Sequence, residues 1–326
     1  GFIGFHLAVL LLEEGFHVHG YDALTDYYSV DLKSKRLEML DVHDRFGITI
    51  ARLEDAEALQ TAISEFKPDA IVHLAAQAGV RFSIENPRTF LESNLVGTFN
   101  VLECARAAKV RHLLAASTSS VYGASATLPF KETDNTDSPL TFYAATKKAN
   151  EAMAHSYAHI HGLPVTMFRF FTVYGPWDRP DMALFKFTKG IVEGTPIDVY
   201  NNGEMWRDFT YAGDLVRAIR LLIDVVPAGP GPARDLTAGD SLSAFAPFRV
   251  VNIGNSEKVR LTDFIEAIED ALGRKAIRNL LPMQAGDMPA TWADATLLKS
   301  LTGYAPSTPV REGIGRFVDW YKDYYG

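Results

Sequence analysis

Cysteine is almost absent from this chain. One residue in 326, Cys104, carries a thiol, so no intramolecular disulfide can form, and such sparse use fits a reducing cytoplasm. Cys104 lies in an apolar helical pattern with Val101, Leu102 and Ala105 and reads as a buried small residue. Long apolar runs are missing too, since none approaches the roughly 18 residues of a membrane-spanning helix. Positive charge is not in excess. With 32 Lys and Arg against 40 Asp and Glu, the formal net charge is -8, which gives no electrostatic footprint for nucleic acid or an anionic membrane surface. Compositional bias is also lacking: 47% hydrophobic and 22% charged residues describe an ordinary globular chain, not a disordered or disulfide-rich one. No Met opens the sequence. It begins on Gly1-Phe-Ile-Gly4, in mid-motif, and the natural N-terminus is expected to lie upstream.

What is present is a regular alternation. Helical periodicity covers 5–14, 32–40, 56–66, 87–108 and 142–161. Between these stretches, 17–22, 48–51, 70–74, 111–117 and 165–171 read as strands. Helix and strand in strict alternation imply an α/β fold, a doubly wound parallel sheet covered on both faces. Beyond residue 175 the pattern loosens, with helices at 185–193, 215–225, 261–272 and 314–325 and an exposed loop from about 227 to 247. We therefore expect residues 1–175 to form one domain and 176–326 a smaller mixed α/β lobe, with 212–226 and 249–254 returning to the first domain. There is no internal repeat.

Gly1 and Gly4 lead straight into a helix, where bare backbone N–H groups and the positive helix end suit a phosphate. A preceding strand and a further glycine, needed for the complete fingerprint, would lie before residue 1. Asp22 ends the next strand, 18 residues after Gly4, where a carboxylate can bind the ribose hydroxyls of NAD and repel the extra phosphate of NADP. Leu74, Ala75 and Ala76 follow the third strand, and small residues there make room for a ligand.

Tyr143 and Lys147 are four apart at the start of a helix and share a face. A free phenol has a pKa of about 10, and lowering it by about three units takes roughly 4 kcal/mol. A nearby ammonium can contribute this and turn tyrosine into a base for a hydroxyl proton. Ser117-Thr-Ser-Ser120 ends the preceding strand and offers hydroxyls to an oxyanion. Each feature alone has a plain structural explanation as a helix-surface pair or a polar turn; their convergence favours chemistry.

The set Gly1-Phe-Ile-Gly4, Asp22, His73-Leu-Ala-Ala, Ser117-Thr-Ser-Ser-Val-Tyr-Gly123, Tyr143-Ala-Ala-Thr-Lys147 and Arg169-Phe-Phe-Thr-Val-Tyr-Gly175 resembles the extended short-chain dehydrogenase/reductase family. Within it, Gly175-Pro-Trp-Asp-Arg-Pro-Asp-Met182 and Gly286-Asp-Met-Pro-Ala-Thr-Trp292 are similar to UDP-glucuronate 4-epimerases. The resemblance implies a Rossmann-like sheet, NAD as cofactor, a UDP-sugar as substrate and a homodimer formed through helices 87–108 and 142–161. It implies a triad of Thr118, Tyr143 and Lys147, a cofactor contact from Asn94 and a diphosphate contact from Arg207. Arg81 is expected at the substrate as well. One departure concerns Arg52, which stands where the family often has Asp near the adenine.

Related dehydratases and decarboxylases resemble this chain but carry an acid within two residues of the triad Thr. Here Ser119 and Ser120 occupy that place, so no carboxyl group is available for a further acid–base step. Thr172 and Arg179, with Ser119 and Ser120, could hold a sugar C6 carboxylate, since an Arg fork matches a carboxylate bidentately. The reading is C4 epimerisation of a UDP-hexuronate. Alternatives are a decarboxylase, an epimerase of another UDP-sugar, and a non-enzymatic NAD-binding scaffold or sensor. His155, His159 and His161 fall near one helix end, yet lack the carboxylate of a His-Glu-x-x-His site, and no metal is expected.

Overall fold

Hydroxyl, carboxyl and glycine signals decide where the chain turns. The computed structural model describes residues 1–125, 127–231, 239–284 and 286–326. The first half runs α1 (Phe2–Glu13), β1 (Val18–Asp22), α2 (Val30–Asp41), β2 (Phe46–Ile50), α3 (Ala56–Phe66) and β3 (Ala70–His73). It continues through α4 (Phe82–Glu85), α5 (Pro87–Phe90), a π-helix (Leu91–Val96), α6 (Gly97–Ala108), β4 (His112–Thr118), α7 (Phe142–His161), β5 (Val165–Phe170) and β6 (Thr172–Tyr174). Ser29, Asp55 and Thr141 cap α2, α3 and α7 by accepting from the backbone N–H three residues on. Gly162, at a φ of 65°, closes α7 in the left-handed conformation.

The second half holds α8 (Ala183–Glu193), β7 (Ile197–Tyr200), β8 (Trp206–Arg207), β9 (Phe209–Tyr211), α9 (Ala212–Leu222), β10 (Phe248–Ile253) and β11 (Val259–Arg260). It ends with α10 (Leu261–Leu272), β12 (Arg278–Leu281), β13 (Ala290–Thr291), α11 (Thr296–Thr302) and α12 (Val310–Tyr325).

The parallel sheet is of the Rossmann type, ordered β10-β5-β4-β3. All residues of β4, β5 and β10 are buried, as central parallel strands covered on both faces must be. α9 packs on α1, and Leu215, Ile219 and Leu222 share an apolar cluster with Phe2, Leu7 and Ile253. A separate cluster joins Phe185, Phe209, Phe264 and Phe317 of the remaining elements, with the rings of Phe209 and Phe264 stacked 3.8 Å apart.

Three features differ from expectation. β1 and β2 pair with each other in parallel, but among the described residues no ladder joins β1 to β3; both stay half-buried and line a large cavity. Residues 87–108 are not one α-helix. A π-turn intervenes because Asn94 is buried there and satisfied from outside the helix. α11 and the short strands β6, β8, β11 and β13 escape a periodicity reading because they are too short to show one.

Residues 232–238 of the expected loop lie outside the described residues. Its later part is anchored: Arg249 grips Asp240 with two hydrogen bonds of 2.9 Å, His155 bonds Ser243, and His159 bonds the Phe245 carbonyl. His161 packs instead on the Tyr157 ring. These histidines are thus directed at separate partners rather than at one point.

Candidate active site

A cavity of about 2000 Å³ runs along the whole length of β1 and β3, between them, and reaches the carboxyl ends of β1, β3 and β4, the place where open α/β sheets bind ligands. Gly1, Gly4, Asp22, Leu74, Ala75 and Ala76 line it on one side. Thr118, Ser119, Ser120, Tyr143, Lys147, Thr172, Arg179, Arg81 and Arg207 line it too. Asn94 does not. Its side chain accepts from Gln77 N–H at 2.9 Å and donates to the Gln77 carbonyl and to Thr146 Oγ1. It ties the loop after β3 to α7 from behind.

At the sheet end, Thr118 closes β4 and its hydroxyl accepts from Ser120 N–H at 3.2 Å, starting a 3₁₀ turn over 119–122. That turn ends at Gly123, where a Cβ would lie 2.0 Å from the Ser138 carbonyl. Only glycine lets 120–123 press against 138–139, the segment that delivers Thr141 and Tyr143. Tyr143 packs edge-on against Phe90 at 5.9 Å. Burial raises its phenol pKa, while hydrogen bonding to Thr118 and the charge of Arg179 pull it back down. Tyrosine and threonine thus adjoin, within reach of the arginine's charge.

Lys147 is 3% exposed and donates from Nζ to the Ala116 carbonyl at 3.0 Å. Among the described residues no carboxylate pairs with it, and burial lowers its pKa to about 8. His73, hydrogen-bonded to Thr98 at 3.0 Å, stays neutral because burial, and then the Lys147 charge, push its pKa down to about 3.

The lysine carries a pH signature. Its pKa is about 8 in the fold against 10.5 in its ordinary state. The desolvation cost is therefore fully present below pH 8 and fades as pH rises toward 10.5. That gap is worth about 3 kcal/mol. Lys147→Met is expected to melt higher than the parent protein at neutral pH, with an advantage that shrinks as the buffer becomes alkaline. A calorimetric series in which the variant melts lower, or in which the difference ignores pH, would contradict a buried unpaired cation.

Arg81 and Arg207 also line the cavity. Arg81 lies 3.4 Å from Asp287 and over the Tyr200 ring, and Arg207 feels the same Asp287 charge. Arg207 makes a hydrogen bond to the Trp206 carbonyl, and burial lowers its pKa. Two guanidiniums sharing one carboxylate leave net positive charge, which suits a diphosphate.

Three supporting groups escape motif reading. Glu151 lies two turns after Tyr143 on α7, accepts from Ser117 Oγ at 2.6 Å and takes two hydrogen bonds of 2.9 and 2.8 Å from Arg169. Asp208 is fully buried, and its carboxylate accepts from Asn255, Ser256 and Ala293 N–H and from Thr210. Its carbonyl accepts from Thr172 N–H at 3.0 Å, which fixes Thr172 beside Arg207. Asp181 grips Arg179. The i, i+4, i+8 spacing of Tyr143, Lys147 and Glu151 was the one available signal for Glu151.

These residues fit a dinucleotide. A Cβ on Gly4 would meet nothing within 4 Å, so the start of α1 is open to the cavity. A Cβ on Gly1 would lie 4.0 Å from Asp22 Oδ2, so the glycine-led helix start adjoins that carboxylate.

Known proteins agree. The family model described as NAD dependent epimerase/dehydratase matches residues 1–235. A probable UDP-glucuronate 4-epimerase of Rhizobium meliloti (strain 1021) is 53% identical over 325 residues, spanning 100% of this chain and 95% of that protein. UDP-glucuronate 4-epimerase 1 of Arabidopsis thaliana is 40% identical over 331 residues, 100% of this chain and 76% of that one. The crystal structure of UDP-glucuronic acid 4-epimerase from Bacillus cereus, in complex with UDP-glucuronic acid and NAD, matches with a TM-score of 0.88 at 29% identity, covering 100% of this chain and 97% of that chain. With its parallel sheet, its glycine-led helix, Asp22 and the Thr118–Tyr143–Lys147 constellation, the chain belongs to the NAD dependent epimerase/dehydratase family.

Proposed function

We propose that this chain is an NAD-dependent isomerase that inverts C4 of a UDP-hexuronate, interconverting UDP-glucuronate and UDP-galacturonate. One observation carries the reading: Thr118 is followed by two hydroxyls, Ser119 and Ser120, and the positive charge of Arg179 reaches Tyr143 across the cavity. The site therefore offers a base and a carboxylate holder, with no second acid beside the triad. The similarity to UDP-glucuronate 4-epimerases over the whole chain supports it.

NAD, when bound, would supply the hydride acceptor and donor and a positive charge that favours the phenolate. Gly1, Gly4, Asp22 and residues 74–76 would hold it. Tyr143, as phenolate, takes the proton from the sugar O4 while Thr118 holds that oxygen, and C4 becomes a ketone. The Lys147 ammonium, fixed on the Ala116 carbonyl, stabilises the phenolate. Arg81 and Arg207 keep the diphosphate anchored while the keto sugar turns its other face to the ring. Tyr143 then returns the proton as C4 is reduced from the opposite side.

The keto intermediate is a β-keto acid. Loss of carbon dioxide breaks C5–C6, sends the electron pair into the C4 carbonyl and leaves an enolate that takes a proton at C5. Arg179, with Ser119, Ser120 and Thr172, opposes this by pairing with the carboxylate, because neutral carbon dioxide would forfeit that charge-assisted contact.

The test is incubation of UDP-glucuronate with the protein and NAD, with products identified by NMR. UDP-galacturonate is expected; UDP-xylose or unchanged substrate overturns the reading. A homodimer in the cytoplasm completes the proposal. Val96 and Phe99 supply exposed apolar surface on the outer face of the helical run 91–108, and light scattering of the intact protein measures its mass.

A further inference from the structure

Arg179 is held before any substrate arrives. Its Nε donates to Asp181 Oδ1 at 2.9 Å and its Nη2 to Asp181 Oδ2 at 2.5 Å. The Tyr27 hydroxyl donates to the same Oδ2 at 3.3 Å, and the Tyr27 ring lies 5.9 Å from the guanidinium carbon. The loop carrying both residues is itself docked: Arg36 donates to the Trp177 carbonyl, and Asp178 Oδ1 accepts the Arg179 N–H at 2.7 Å.

A guanidinium has five N–H donors. Asp181 uses the Nε edge, two bonds side-on. Among the described residues the Nη1 hydrogens and one Nη2 hydrogen have no acceptor, and Arg179 lines the cavity. The unused edge is a second fork of the right shape for another carboxylate. Asp178, next to it, does not compete as a full anion near neutrality, because burial raises its carboxyl to about 7.

We propose that Asp181, steadied by Tyr27, is a positioning residue that sets the free fork of Arg179 toward the sugar carboxylate and so determines whether the keto intermediate keeps or loses its C6 carbon. The proposal rests on the reading of Arg179 as the carboxylate holder. Asp181 touches neither substrate nor cofactor in it. Its work is to take one edge of the guanidinium, so that the rotamer entropy of a long side chain is lost on folding rather than on substrate binding.

The test uses the full chain with NAD and three variants, D181N, Y27F and R179A. The readouts are KM for UDP-glucuronate, the share of product released as UDP-pentose, and the inhibition constant of UDP-glucose, a sugar without a carboxylate. D181N keeps the size of the side chain but loses its charge. It is expected to raise KM for UDP-glucuronate about tenfold, the cost of about 1.4 kcal/mol of binding, and to raise the pentose share, while UDP-glucose inhibits as before. Y27F should move both readouts in the same direction, less far. If R179A shifts KM and pentose share but D181N does not, this inference fails alone. If R179A is silent too, the carboxylate assignment fails with it. Equal weakening of UDP-glucose by D181N would reduce Asp181 to a structural role and overturn the proposal as well.

Discussion

Tyr143→Phe is expected to lower kcat for epimerisation by about 10²–10⁴-fold, while NAD stays bound and KM for the UDP-sugar changes little. The substitution removes one oxygen and nothing else. The ring keeps its edge contact with Phe90, and the hydrogen bond to Thr118 is the interaction lost. Burial holds the phenol above its ordinary pKa, so it is uncharged near neutrality, its replacement by phenylalanine strands no charge, and the variant should fold about as well. The separation of effects is diagnostic. A base acts in the transition state, so its removal lowers kcat and kcat/KM together. Steady-state kinetics with measurement of bound NAD checks it, and a variant within tenfold of the parent rate would remove Tyr143 from the chemistry.

Glu151→Ala is expected to cost about 3–5 kcal/mol of folding stability, as breaking a buried ion pair by removing one partner does. Arg169 is 3% exposed and would keep its charge with, among the described residues, no carboxylate paired to it, only the Glu132 carbonyl and the Tyr122 side chain, whose ring lies 4.8 Å away. Ser117, next to Thr118, would lose its acceptor. The loss comes from the stranded charge rather than from the pair as such. Replacing both partners by apolar residues, Glu151→Leu with Arg169→Met, should therefore recover much of the stability. Urea titrations of the single and double variants decide it: a single variant within about 1 kcal/mol of the parent would mean that water reaches Arg169.

The chemistry-bearing half of the site was legible because its spacing is local. Tyr143 and Lys147 are one helical turn apart, Thr118 ends a strand, and Asp22 follows its glycines at a fixed distance, so patterns within one element or one connection carry the signal. The boundaries of α3, α7 and α10 were equally local, written in Asp55, Thr141, Gly162 and Gly273. What remained hidden depends on chain segments distant in sequence. The Glu151–Arg169 pair joins α7 to β5, Tyr27 meets Asp181 across 154 positions, and Asp208 collects donors from 255, 256 and 293. No periodicity encodes such contacts. Asn94 was named by the resemblance, and the fold directs its amide to Gln77 and Thr146, contacts that no spacing encodes.

The π-turn at 91–96 has a consequence for the numbering of the whole helical run. A π-turn holds one residue more than the α-turn it replaces, which advances everything after it by about 100° around the axis. That rotation is what turns Thr98, Leu102 and Ala105 inward and Phe99 outward, while Asn94 still faces Thr146. The stretch behaves as a phase lock: deleting one residue there would restore an ordinary α-turn and leave the faces of α6 in place, whereas straightening the turn at full length would swing α6 about 100° around its axis.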